Sequence, residues 1–75
     1  MDWKERLKEE YAQLKERYEK LKAHNIKLEV KANLAETTPL KKEYYSNRLL
    51  ARQQDIMEDY LKTLELRAEL AGIEL

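Results

Sequence analysis

Seventy-five residues make one domain at most, and a core this small is marginal unless stapled, metal-bound or shared with another chain. There is no cysteine, which excludes a disulfide or a thiolate–zinc staple. Charged residues at 40%, hydrophobic residues at 43%, a net charge of zero and single Gly and Pro residues point to long helices rather than disorder.

The first element announces itself through leucine at Leu7, Leu14, Leu21 and Leu28, a seven-residue repeat that Ala35 continues. With the leucines at heptad position d, Lys4, Tyr11, Tyr18, Asn25 and Ala32 fall at position a. Asp2 followed by Glu5 reads as an N-cap with its acidic partner, starting a helix near Trp3. From Ile26 to Ala32 the apolar residues alternate, which is a strand period. Two readings stand: a helix continuing to about residue 35, or a break near Asn25. A lone strand would have nothing to pair with, and an early stop would leave the second helix longer than its partner.

Thr38-Pro39 is a start signal, a hydroxyl cap before a proline whose missing N–H costs little at the first helical position. The second helix carries Leu50, Met57, Leu64 and Ala71, with Gln54, Leu61 and Ala68 as companions, and Gly72 is its stop signal. Antiparallel partners have position numbers that add to a constant. Leu14 with Leu61, Tyr18 with Met57, Tyr11 with Leu64 and Leu7 with Ala68 all share one total, centred on Thr37 and Thr38. Residues 1–75 are therefore expected to form a single all-α antiparallel two-helix hairpin. Its helices would span about 3–35 and 39–71 around a turn at 36–38, each about 50 Å long. The same register sets Asn25 against Leu50, Leu21 against Gln54 and Leu28 against Asn47. Those amides either fix register or lie near a frayed end.

That seam leaves Leu49, Ile56, Tyr60 and Leu70 over, with Trp3 expected near Leu70. A second hairpin, completing a four-helix bundle, or a different protein would cover such a patch. Ile26, Val30, Tyr44 and Tyr45 lie nearer the turn on another flank, as packing or a second contact. Charge is segregated too. Residues 20–52 hold eight basic and three acidic residues, and the two terminal stretches together carry the balancing −5. A hairpin would be basic at the turn (Lys41, Lys42, Arg48, Arg52) and acidic where the termini meet (Glu58, Asp59, Glu65, Glu69). Solubility with ion pairs such as Glu16–Lys20 and Glu58–Lys62, an antiparallel dimer, or a functional pole are all compatible with this. Nucleic-acid binding through the basic end has weak support, since the net charge is not basic and no recognition motif appears.

Catalysis finds no footing. His24 and Ser46 are the only residues of their kinds, no His-x-x-x-His or Glu-x-x-His pair exists, and no glycine-rich phosphate loop is present. No enzyme activity, catalytic residue, metal or cofactor is expected. No apolar run approaches membrane-spanning length and no signal peptide opens the chain, so a soluble intracellular protein is expected.

Two blocks of residues resemble a known group: Glu5-Arg6-Leu7, Glu10, Leu14, Glu16-Arg17 and Lys20-Leu21, then Leu49-Leu50, Arg52-Gln53, Met57, Tyr60-Leu61, Leu64 and Arg67. They are similar to the small helical-hairpin proteins of bacteriophages and prophages, including crAss-like phage relatives. The resemblance implies a phage origin, action in the cytoplasm of a bacterial host and no enzyme activity. The leading functional expectation is an accessory protein that binds and inhibits or redirects a host protein, including a defence system. The alternatives are an assembly protein acting only by oligomerisation and a nucleic-acid-binding accessory protein. The working form is expected to be a homodimer.

Overall fold

The computed structural model describes residues 2–34 and 40–75. Two helices, α1 (Trp3–Leu34) and α2 (Lys41–Ala71), pack against each other as an antiparallel hairpin measuring 52 × 19 × 16 Å. The expected turn at 36–38 and the Thr38-Pro39 start signal lie outside the described residues. Leu40 is extended (φ −58°, ψ 146°) and its carbonyl accepts the Tyr44 N–H at 2.9 Å, so helical geometry begins at Lys41.

At the other end of α1, the Asp2 carboxylate accepts the Glu5 N–H at 2.8 Å. This satisfies one of the four donors that a helix start leaves open and sets a negative charge on the positive end of the helix dipole. α1 then runs unbroken through Asn25 and the alternating Ile26–Ala32 segment. Of the two sequence readings, the continuous helix is the one observed.

The register is the expected one. Leu7, Leu64 and Ala68 form the buried cluster, with Tyr11, Leu14 and Ile73 packed on it; Tyr18 and Leu61 are also buried. Toward the turn, Leu21, Asn25, Leu28, Asn47, Leu50, Gln54 and Met57 are half-buried. Lys4 and Ala32, which the heptad also placed at the seam, are exposed. The helices are thus held most firmly at the terminal end. The reason lies in side-chain size: leucine and tyrosine fill the inter-helix space there, while amides interrupt it nearer the turn.

Asn25 shows how the seam accommodates those amides. Its Nδ2 donates to the Leu50 carbonyl at 3.1 Å and to Gln54 Oε1 at 2.9 Å. Gln54, expected opposite Leu21, turns to Asn25 instead. The Asn25 Oδ1 is buried without a partner among the described residues. In this register the Gln54 amide stands within reach of Asn25, which favours it over alignments that set an apolar side chain there.

The C-terminus folds back on the core. Gly72 takes the left-handed conformation (φ 69°), its N–H donates to the Glu69 carbonyl at 3.2 Å, and Ile73 N–H donates to the Ala68 carbonyl at 2.8 Å. These bonds satisfy open carbonyls at the end of α2 and turn Ile73 onto the Leu7–Leu64–Ala68 cluster.

Two predictions follow from these contacts. A Cβ at Gly72 would meet nothing within 4 Å, so Gly72→Ala carries only the backbone penalty, about 1–2 kcal/mol. Thermal unfolding should drop by about 4–8 °C per kcal/mol; an unchanged midpoint would contradict the cap. Asn25→Ala should cost about 1–2 kcal/mol by stranding Gln54 and opening space. Replacing both amides, as Asn25→Leu with Gln54→Leu, should recover most of that loss in denaturant titrations, because both polar groups leave together. A double variant no better than the single one would show that the pair is not coupled.

Candidate functional site

Leu49, Ile56 and Leu70 follow one another at seven and fourteen residues, which places them on one outer stripe of α2. Their exposures are 45%, 57% and 91%. Tyr60 flanks the same stripe, and its hydroxyl donates to Glu10 of α1 across the edge of the seam. Leu66, which the leftover apolar set did not include, is exposed near the same stripe. Trp3 is 53% exposed, and its ring has the Lys4 ammonium 5.9 Å from its centroid. Leu70 sits on an outward stripe at the level where α2 is ending.

A second apolar region lies on α1 near the turn. Ile26, Val30 and Leu34, each four residues apart, are 53%, 53% and 77% exposed. Tyr44 and Tyr45 are also exposed at this end, and the Arg48 guanidinium lies 5.9 Å from the Tyr44 ring centroid. Lys41, Arg48 and Arg52 are exposed and share one outer stripe of α2 by their spacing, while Lys42 points about a quarter turn away.

The acidic set is less uniform than its composition suggests. Glu58, Glu65 and Glu69 share a stripe on the flank of α2 opposite Tyr60, and Asp59 lies apart on the outer face. Glu58 and Glu65 line a groove with Tyr11, Lys15, Tyr18 and Lys62, so cations from both helices stand among these carboxylates. Glu65 accepts the Tyr11 hydroxyl at 2.7 Å. Glu69 belongs to the terminal groove with Ile73, Glu74 and Leu75. Of the expected surface ion pairs, Glu16–Lys20 closes at 3.0 Å and draws the exposed Glu16 carboxyl below its ordinary range, chiefly through the hydrogen bond from Lys20. Glu58 and Lys62 do not close a pair; such exposed contacts are worth little against side-chain entropy.

Among the described residues, no group of three or more His, Asp or Glu side chains converges as a metal site. The grooves are open and shallow, and His24 is exposed on α1. What the surface offers is apolar area and ordered charge. The two tyrosine–glutamate bonds between the helices were missed in reading the sequence, although Tyr11 with Glu65 and Tyr60 with Glu10 follow from the antiparallel register once both flanks of the seam are considered.

The Tyr11 phenol is raised above its ordinary pKa, first by its hydrogen bond to Glu65, then by burial and by the Glu65 charge. Tyr60 is raised in the same way by Glu10, with a smaller opposing effect of Arg67. A phenol with a raised folded pKa contributes stability that is whole below about pH 10 and lost as pH climbs through the raised value. Tyrosinate absorbance should therefore develop later in the folded chain than in urea, and Tyr11→Phe with Tyr60→Phe should remove the late component. Superimposable folded and denatured titrations would contradict both bonds.

No curated protein and no solved structure matches the chain. No helix among the described residues is long and apolar enough to cross a membrane. The hairpin has an ordered seam, open flanks and exposed apolar stripes. The model of one protein family, Sequestin, matches residues 1–70, and the chain belongs to the Sequestin family.

Proposed function

We propose that the chain is a non-catalytic, phage-encoded accessory protein that acts in the host cytoplasm by holding a host protein and so inhibiting or redirecting it. A component of a defence system is the target class this reading favours. The observation that carries it is the surface the fold leaves uncovered: Trp3, Leu49, Ile56, Tyr60 and Leu70 are all exposed on a hairpin whose grooves are open. Large exposed apolar patches rimmed by charge mark interaction surfaces. The family name, that of a sequestering protein, supports stoichiometric capture over turnover.

In this reading the working form is a homodimer, and the exposed surface is divided between the second copy and the target. The acidic residues Glu58, Asp59, Glu65 and Glu69 orient the encounter with a basic partner surface, speeding association more than deepening affinity.

The test is capture from host lysate followed by titration of the purified pair. Binding should reach an endpoint at a fixed ratio with no chemical change in the target. Charge reversal at Glu58, Asp59 and Glu69 should slow association about tenfold or more at low salt. A target that is chemically converted would overturn the proposal. So would binding untouched both by the charge reversal and by Ile26→Asp with Val30→Asp.

A further inference from the structure

We infer that the outer stripe of α2 is occupied by a second copy of this chain, lying antiparallel about a twofold axis that passes close to Tyr60. This deepens the dimeric form proposed above, and it assigns that stripe to self-association rather than to the target. The hairpin exposes 6551 Å², whereas a compact folded chain of 9.1 kDa exposes about 4,900 Å². The excess, about 1,600 Å² per chain, exceeds the roughly 800 Å² that each partner contributes to a stable dimer.

The stripe itself is patterned for a partner helix. Leu49, Ile56, Thr63 and Leu70 recur every seven residues, with Gln53, Tyr60 and Arg67 between them at the four-residue steps. This is a second heptad seam on α2, opposite in role to the one that faces α1. Placed against itself in antiparallel order with Tyr60 near the axis, it sets Leu49 against Leu70 of the other copy, and Ile56 against Thr63, on both sides of the axis. Moving the axis by half a heptad toward the turn would instead set Lys42 against Leu70.

Charge favours the same orientation. Residues 20–52 carry +5 and the remainder −5, and the hairpin collects them at opposite ends. An antiparallel pair lays each basic end along an acidic end, whereas a parallel pair would stack like on like. The arrangement leaves Ile26 and Val30 of α1, and the Glu58–Glu65–Glu69 flank of α2, uncovered for a different protein.

The pure protein suffices for the test, so its outcome is independent of any host target. Sedimentation at micromolar concentration should give a dimer. Because the chain has no native cysteine, cross-linking reads the arrangement directly. The double variant Leu49→Cys with Leu70→Cys should form a disulfide-linked dimer in high yield under mild oxidation. Leu49→Cys alone and Leu70→Cys alone should link several-fold less. Both sites are exposed, so circular dichroism of the reduced variants should match the parent helicity. A monomer at these concentrations would overturn the proposal. So would a dimer in which Leu49→Cys alone links as well as the double variant, which is the signature of a parallel pair.

Discussion

Two helices can bury only one stripe of each other, and this limit governs the molecule. Each helix offers roughly a quarter of its circumference to the other. What remains must be polar or must find another partner. α1 largely meets the condition, since its outer surface is charged apart from Trp3 and the Ile26–Leu34 stretch near the turn. α2 does not, because it carries a second heptad stripe outside the seam. The small core follows from the same geometry: Leu7, Leu64 and Ala68 form the buried cluster, and five residues in all are buried among those described.

The seam is graded along its length. Near the termini it is leucine, tyrosine and alanine, closed from below by Ile73 after the Gly72 turn. Toward the turn it passes into amides, with Asn25 bridging the Leu50 carbonyl and Gln54. The apolar end supplies cohesion through removal of side chains from water. The amide end supplies register, since its hydrogen bonds are made only when the helices are aligned. The tyrosine–glutamate bonds on the two flanks add to that alignment from opposite sides.

Much of this was legible in the residue order. Heptad spacing and the constant-sum pairing placed Leu7, Tyr11, Leu14, Leu61, Leu64 and Ala68 correctly, because helix period and register are geometric and need no knowledge of side-chain rotamers. Local capping chemistry at Asp2 and Gly72 was equally readable. Other features depended on directions that spacing alone does not convey. Gln54 was matched with Leu21 by register, yet its flexible amide reaches Asn25, where a hydrogen bond is available. Ile73 lay past the stop signal and looked like tail; the apolar residue just after a terminal glycine was the clue to its return.

If a second copy covers the outer stripe of α2 as proposed, folding and association are parts of one process, and a hairpin with so little buried area would gain its remaining stability from that copy. The most direct measurement is the thermal midpoint of the pure protein over a hundredfold range of concentration. Coupled association predicts a midpoint rising by about 4 °C for each tenfold increase, from about 1.4 kcal/mol of mass action against the unfolding entropy of two chains. A midpoint independent of concentration, with helicity intact at the lowest one, would show that the hairpin stands alone and contradict the account.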